Sequence, residues 1–358
     1  MMKQDYKKIP MPARYGINIV LTVALWGALM YLISTGIVSN YWQGIMVTVG
    51  INIILAVSLN IATGYLGQLP LGHAGFMAVG AYAGGIYMKS TPLADLVSAN
   101  DWAGAAPYII VALLIAGVLA GLFGLIIGIP ALRLKGDYLA IITLGFGEII
   151  RVILTNIDSL LDFKLTYGAA GLKRIPMISN SFTLVFICVA VTCLVIHMVM
   201  KSRHGRAILS IRENEIASES CGVDTTYYKV MAFVLSAFFA GVAGCLYAGY
   251  LGSLFPSTFK FMKSVEILVM VVLGGMGSML GSIVAATVLT VLSEALRSLG
   301  DMRMVFYALI LICMMIFRPK GLMGTYDFSM SRILEKAINW KNTVKTQTTK
   351  KSKEVDKK

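Results

Sequence analysis

Long apolar runs, separated by short polar or glycine-rich interruptions, cover most of this chain. A helix of roughly twenty apolar residues is long enough to cross the ~30 Å hydrocarbon core of a bilayer. The pattern therefore predicts an all-α, polytopic transmembrane helical bundle of about ten spans with glycine-interrupted helices. The predicted spans are residues 17–38, 41–63, 64–88, 107–129, 138–156, 182–200, 230–250, 265–273, 283–296 and 305–317.

The count depends on two short apolar runs, residues 265–273 and 283–296, which the sequence GGMGSMLG separates. If residues 265–296 made a single crossing, the basic C-terminal tail would end outside, whereas Lys and Arg normally collect on the cytoplasmic side. Two short crossings, or a segment that dips into the membrane and returns, keep the tail inside. We predict about ten spans, with about eight as the alternative.

The longest polar interruption, residues 201–229, carries five basic and four acidic side chains between two apolar runs. Each charge at a bilayer centre costs roughly 2.5–3.5 kcal/mol, so this segment lies outside the hydrocarbon. Its basic residues indicate the cytoplasmic side. We predict a helix over residues 207–221 that ends at Gly222, because glycine suits a helix C-terminus. Two interpretations stand: a docking element for a soluble cytoplasmic partner, or a solvated connector.

Composition strengthens the membrane interpretation. The chain is 57% hydrophobic and 14% charged, against about 45–50% and about 25% in typical soluble domains. The net charge of +13 includes basic clusters at both ends, where Lys and Arg contact anionic lipid headgroups and mark the cytoplasmic side. We expect both termini in the cytoplasm, contact with membrane lipid, and no nucleic-acid partner. The predicted parts are a cytoplasmic N-terminal segment (1–16), a transmembrane domain (17–320) and a basic cytoplasmic tail (321–358).

Sequence motifs for chemistry are missing. No G-x-x-x-x-G-K-[ST] phosphate-binding loop occurs, and the three scattered histidines form no zinc pattern. We therefore expect neither an enzyme nor a bound cofactor or metal.

Two glycine-rich interruptions occupy corresponding places in the two five-span halves. Paired interruptions mark the substrate pathway in many transporters, although small residues also serve close helix packing. The candidate pathway residues are Gly72, His73, Gly75, Glu148, Gly274, Gly275 and Gly277. Two of them have a second interpretation: His73 as a buried, hydrogen-bonded side chain, and Glu148 as half of a structural pair with Arg151 one helical turn away.

The chain resembles one known family in four stretches, which occur in the family's order and spacing: GYLGQLPLGHAGFMAVGAY, PALRLKGDYLAIITLGFGEIIR, GRAILSIRENEIASESCGV and VLGGMGSMLGSIVAA. They are similar to branched-chain amino acid ABC transporter permeases of the LivM type, from residue 48 to residue 321. The resemblance implies an import permease in the cytoplasmic membrane of a prokaryote. It also implies a second, related permease of the LivH type, two cytoplasmic ATP-binding subunits and an extracytoplasmic solute-binding protein that delivers leucine, isoleucine or valine.

Two other functions stay open. Closely related permeases move urea or short amides, and sequence separates them poorly from amino acid permeases. A self-sufficient, proton-coupled secondary carrier of amino acids would need a relay of titratable carboxylates, and this chain offers little beyond Glu148 and Glu266.

The family's ATPase-coupling loop would map onto residues 205–222. ABC importer permeases commonly carry EAA-x-x-x-G there, and this chain keeps the glycine but not the first Glu or the second Ala. We expect Ile208, Ile211 and Ile216 to seat on the ATPase, with charged neighbours orienting it. The candidate coupling residues are Gly205, Arg206, Ile208, Ile211, Arg212, Glu213, Glu215, Ala217 and Gly222.

Overall fold

The structure is a computed structural model that describes residues 11–36, 38–99, 101–134, 136–161, 166–178 and 182–300, with scattered positions between 302 and 322. The first ten residues, most of the predicted last span and the tail beyond residue 322 lie outside the described residues. Contacts divide the chain into two units, residues 1–37 with 327–358, and residues 38–326.

The described residues are mainly helical. Helix α1, Met11–Ser34, belongs to the first unit. The second unit contains α2 (Asn40–Asn60), α3 (His73–Ser90), α4 (Leu93–Ser98), α5 (Trp102–Ala131), α6 (Asp137–Leu161), α7 (Phe182–Lys201), α8 (Arg203–Glu213), α9 (Glu215–Ser220), α10 (Thr225–Leu251), α11 (Phe261–Gly274) and α12 (Met279–Ala295). Short 3-10 turns cover Gly168–Ala170, Pro256–Phe259 and Leu296–Leu299. A two-residue antiparallel ladder, β1 (Leu172–Lys173) with β2 (Ser253–Leu254), was not predicted from the sequence.

Five helical segments of the described chain are long and apolar enough to cross a membrane: Asn40–Tyr65, Trp102–Ala131, Tyr138–Asp158, Phe182–Lys201 and Thr225–Leu251. Shorter apolar helical pieces are Thr22–Ser34 and Met279–Ala295. Large apolar side chains such as Ile110, Ile141 and Ile187 are exposed along α5, α6 and α7. Extended apolar faces of this kind suit contact with lipid or with other membrane helices.

Helices α3, α5 and α10 pack most closely and form the centre of the second unit. Glycine makes this contact possible: a Cβ on Gly80 of α3 would lie 2.3 Å from the Cα of Gly241 in α10. A Cβ on Gly241 would in turn lie 2.4 Å from the methyl group of Ala120 in α5. Small residues at such crossings let the backbones approach each other, and the dense packing leaves no space for added atoms.

The predicted span at residues 64–88 is wrong in its extent, because α3 begins only at His73. The preceding helix instead continues from α2 through a π-helical segment, Ile61–Tyr65, and makes one long apolar element. Residues 66–72 are not helical. Gly67 has a φ of +79°, which is accessible to glycine at little cost, and it turns the chain out of the helix.

Residues 265–296 do not form one continuous helix. Helix α11 has 14 residues and α12 has 17, and the turn between them contains Gly275 and Gly277 with φ of +104° and +89°. Residues with a Cβ rarely adopt these angles, so the two glycines allow the chain to reverse.

The prediction of one helix over residues 207–221 is also wrong, because the segment forms two helices, α8 and α9, that break at Asn214. The Asn214 side chain accepts a hydrogen bond from the Ala217 N–H at 3.0 Å and so caps α9. Asparagine favours such N-terminal caps over a helix interior, because its short amide competes for backbone groups.

Candidate functional site

Helix α8 is amphipathic and ties the polar loop to the rest of the protein. Its N-terminal cap is Ser202, whose hydroxyl accepts a hydrogen bond from the Gly205 N–H. A Cβ on Gly205 would lie 2.3 Å from the Met200 carbonyl oxygen, so α8 turns tightly against the end of α7. Ile208 and Ile211 are buried in the chain's own core. Our prediction that these two seat on a partner is wrong, since they face inward from the apolar side of α8.

The outer side of the polar loop keeps an exposed surface. Ile216, at the start of α9, is 74% exposed, and Ala217 beside it is also exposed. Arg206 and Glu213 are exposed on α8. An exposed apolar side chain can serve as the centre of a docking surface, so Ile216 remains an apolar candidate for a partner contact.

The junction of α9 with α10 is fixed by an ion pair and a glycine. The Glu215 carboxylate accepts from the Lys229 ammonium at 2.6 Å, and Lys229 is almost fully buried. Helix α9 ends at Ser220, and Gly222 has a φ of +81°. The predicted helix end at Gly222 is therefore confirmed to within two residues.

Arg212, near the C-terminal end of α8, points toward the long helices. Its Nη1 donates a hydrogen bond to the carbonyl oxygen of Gly64, in the π-helical segment. The side chain packs on Gly67, where a Cβ would lie 3.1 Å from the Arg212 Cγ. It also covers Gly277, where a Cβ would lie 2.8 Å from Nη1. Three of the four stretches that carry the family resemblance therefore meet at one side chain.

Asn60 completes this cluster, which we call the Arg212 junction and which consists of Arg212, Gly64, Gly67, Gly277 and Asn60. Its side-chain oxygen accepts a hydrogen bond from the Gly277 N–H at 2.9 Å, which joins the end of α2 to the turn between α11 and α12. The side chain is fully buried, and its amide nitrogen has no hydrogen-bond partner among the described residues. A buried amide donor without a partner costs roughly 1–3 kcal/mol. The sequence analysis missed Asn60, although a polar residue in a long apolar run was the available signal.

A second cluster joins the start of α3 to α6. A Cβ on Gly72 would lie 2.2 Å from the Thr143 carbonyl oxygen, and a Cβ on Gly75 would lie 2.9 Å from the Cα of Gly147. The two glycines thus let the α3 and α6 backbones touch. Glu148 follows directly in α6, so the structure brings three predicted pathway residues together.

Glu148 makes two polar contacts. Its Oε2 accepts from Arg151 at 2.6 Å, which is the predicted structural pair, and its Oε1 accepts from the backbone N–H of Phe261 at 3.2 Å. Phe261 begins α11, and a carboxylate near a helix N-terminus interacts favourably with the helix dipole. On the neighbouring turn, the Ser264 hydroxyl accepts from the Ala74 N–H at 3.0 Å. Glu148 and Ser264 therefore attach α11 to α6 and α3.

His73 is buried away from these polar groups. Its Nε2 lies 3.0 Å from the Ser58 hydroxyl, and the Ser236 hydroxyl donates to the Ser58 carbonyl oxygen at 2.8 Å. The side chain is 1% exposed. This geometry matches the interpretation of His73 as a buried, hydrogen-bonded histidine.

The remaining candidate glycines serve close contacts. A Cβ on Gly274 would lie 2.5 Å from the carbonyl carbon of Gly281 in α12, and Gly275 lies against Gly321. These neighbours differ from those of Gly72 and Gly75 at the start of α3. The structure therefore divides the predicted pathway residues into two groups.

Comparison with known proteins identifies the family. Residues 41–317 match the family described as "Branched-chain amino acid transport system / permease component". The chain is 36% identical to the "High-affinity branched-chain amino acid transport system permease protein LivM" of Escherichia coli (strain K12), over 76% of this chain and 68% of that protein. A protein of the same name from Salmonella typhimurium is 35% identical over the same shares of the two chains. The LivH permease of Salmonella typhimurium is 31% identical over 34% of this chain and 40% of its own. The chain belongs to the permease family of branched-chain amino acid transport systems.

Proposed function

We propose that this chain is the permease subunit of an ABC importer that moves branched-chain amino acids across the cytoplasmic membrane of a prokaryote. Family membership and the LivM relatives, which are named for high-affinity branched-chain amino acid transport, support the proposal. The complete importer includes a second permease of the LivH type, two cytoplasmic ATP-binding subunits and an extracytoplasmic solute-binding protein. The local similarity to LivH proteins supports a pair of related permeases.

In the proposed topology the chain crosses the membrane ten times, with α1, α2, α3, α5, α6, α7, α10, α11, α12 and the segment at residues 305–317. Both termini and the 201–229 loop face the cytoplasm. The Arg212 junction carries this proposal, because it requires Gly64, Arg212 and Gly277 to lie at the same end of the bundle. The ten-span order places all three at the cytoplasmic ends of their elements.

Coupling follows from the same junction. An ATPase that binds the exposed surface around Ile216, Arg206 and Glu213 would displace α8 and α9 when it closes on ATP. Because α8 is anchored by Ile208 and Ile211 and its Arg212 holds the Gly64 carbonyl, this displacement reaches both the end of α2 and the α11–α12 turn. The chain supplies no chemistry of its own and converts the partner's movement into rearrangement of the spans.

The substrate route is proposed to pass beside Gly72, Gly75 and Glu148. Ionisable side chains at membrane depth usually face a protein interior or a water-filled cavity. A cavity between α3, α6 and α11 borders Gly75, Glu148 and Ser264, but its volume of about 10 Å³ has room for about one water molecule at most. An amino acid would therefore pass only after α11 separates from α6 and α3.

The test is reconstitution of the full complex with its partner permease, ATPases and binding protein in proteoliposomes. We expect ATP-dependent uptake of labelled leucine, isoleucine or valine. ATP-independent uptake by this chain alone would indicate a secondary carrier. ATP-dependent uptake of urea or acetamide in place of leucine would assign the chain to the amide permeases.

A further inference from the structure

A larger cavity, of about 220 Å³, opens where α2 begins and where α10 and α12 end. These ends are opposite to the Arg212 junction, which lies at the end of α2 and at the start of α12. In the proposed topology the cavity therefore faces the extracytoplasmic side. Its volume corresponds to roughly seven water molecules at ~30 Å³ each, a space suited to a small molecule rather than to a peptide.

The rim of this cavity contains one acidic and one basic side chain. The Tyr41 hydroxyl donates to Oε1 of Glu294 at 2.6 Å, and Nη1 of Arg297 donates to the same oxygen at 2.9 Å. Glu294 is largely shielded, whereas the Arg297 side chain is 68% exposed and borders solvent over most of its surface. The hydrogen bond to Glu294 raises the pKa of the Arg297 guanidinium above its ordinary value, so the charge is retained.

The floor of the cavity is polar and held in place. Thr48, Tyr250 and Thr290 line it, and the Asn52 amide donates to the Thr290 hydroxyl at 2.9 Å. A Cβ on Gly44 would lie 2.6 Å from the Tyr250 hydroxyl oxygen, so only glycine leaves room for that phenol. Three hydroxyl groups and two opposite charges thus converge on one space at the mouth of three helices.

We propose that this cavity is a binding site for a small zwitterion, an α-amino acid, on the extracytoplasmic side of the permease. This inference rests on the proposed function for its topology and its substrate. The ammonium group of the ligand takes the place of Arg297 on the Glu294 carboxylate, and the ligand carboxylate pairs with the released Arg297 guanidinium. One ion pair becomes two, and the net charge of the site does not change.

The two charges select against other ligands. A carboxylic acid that pairs with Arg297 would leave the largely shielded Glu294 without a counter-charge, and burying an unpaired charge is unfavourable. An amine would replace Arg297 on Glu294 but would gain no second ion pair. Urea would gain hydrogen bonds but no ion pair. Because exposed ion pairs contribute little, we expect a dissociation constant on the order of a millimolar. Weak binding suits a site that receives and then releases its ligand.

The experiment measures binding of labelled L-leucine to the purified complex of permeases and ATPases in nanodiscs, without the solute-binding protein. We expect saturable binding that 4-methylpentanoate and 3-methylbutan-1-amine displace at least tenfold less well than unlabelled leucine. Glu294→Gln should weaken binding at least tenfold, and Arg297→Gln should weaken it severalfold, because the Arg297 pair is exposed. Asp95→Asn removes an exposed carboxylate from α4, which the proposed topology places on the same side of the membrane, and serves as the matched control because Asp95 does not line the cavity.

Uptake with the binding protein present is measured in parallel, so that the two proposals fail separately. If wild type imports leucine but the complex shows no saturable binding, or binding unchanged in both variants, the site is wrong and the importer stands. If wild type imports no branched-chain amino acid, the importer proposal is wrong. Should Glu294→Gln not assemble, Arg297→Gln alone decides, because loss of an exposed guanidinium leaves the packing intact.

Discussion

Among single residues, Arg212 has contacts that no periodicity or composition would indicate. A basic residue in a polar loop is expected to face solvent or a partner, and Arg206 and Arg203 are indeed exposed. Arg212 instead turns inward and donates to the Gly64 carbonyl. The difference arises because α8 presents Arg212 on the same side as its buried isoleucines, next to two glycines whose missing side chains leave room for a guanidinium.

We predict that Arg212→Lys weakens the mechanical connection between the ATPases and the membrane spans. A charge-assisted hydrogen bond contributes roughly 1.5–3 kcal/mol. A lysine keeps the methylene contact with Gly67, but its ammonium cannot reproduce the planar guanidinium that lies on Gly277 and binds the Gly64 carbonyl. Uptake and the stimulation of hydrolysis by loaded binding protein should fall at least tenfold, while the ATPases still co-purify. Arg133→Lys, at an exposed position after α5, is the matched control. Wild-type uptake in Arg212→Lys would show that the junction carries no movement.

A second prediction at this scale concerns packing. Gly80→Ala places a methyl group 2.3 Å from the Gly241 backbone, and overpacking of this kind typically costs 1–3 kcal/mol. The purified protein should lose several degrees in its unfolding midpoint and much of its yield. Gly145→Ala in α6, where a Cβ has open space, should be neutral or slightly stabilising because alanine favours the helix. Equal behaviour of the two variants would contradict the close α3–α10 contact.

At the scale of elements, hydrophobic pattern located the long helices well and located their ends poorly. The run in α7 is an exception and differs by one residue from the observed helix, because nearly all of its residues are apolar and the charged Lys201 ends it. The segment at residues 64–72 misled the sequence analysis, because it is apolar although its glycines and proline do not continue a helix. Whether a loop isoleucine faces inward or outward was likewise not predictable, since that depends on where Asn214 breaks the helix.

The coupling element yields a prediction that separates its two faces. Ile216→Asp changes an exposed side chain, so it should leave the permease folded and weaken its association with the ATPases, by roughly 2 kcal/mol if Ile216 is a central anchor. Ile211→Asp buries a charge in the core, so it should lower the yield of the permease even when expressed without ATPases. The measurements are folded yield and co-purification. Normal association of Ile216→Asp would remove α9 from the docking surface.

At the scale of the whole molecule, the proposed orientation can be tested through accessibility. The five native cysteines are first removed, and a single cysteine is then introduced at Ser220 in α9 or at the exposed Ser257. Each variant is treated with an impermeant thiol reagent. Because the topology places these positions on opposite sides, only Ser257→Cys should react in intact cells, and Ser220→Cys should react after permeabilisation. Labelling of Ser220→Cys in intact cells would reverse the proposed orientation.

The contacts among α3, α5 and α10 also limit how the molecule can change shape. Helices packed this closely at glycine and alanine positions cannot slide or rotate past one another without collision, so we expect these three helices to move as one rigid body. Segments outside the long helices can absorb a hinge movement, and three of them in the described chain are residues 66–72, the approach to α11 at residues 252–260 and the turn at residues 275–278. All three segments lie next to α11, either in the chain or through residues that α11 contacts. We therefore expect the opening of this subunit to include a swing of the 14-residue helix α11 against the block formed by α3, α5 and α10.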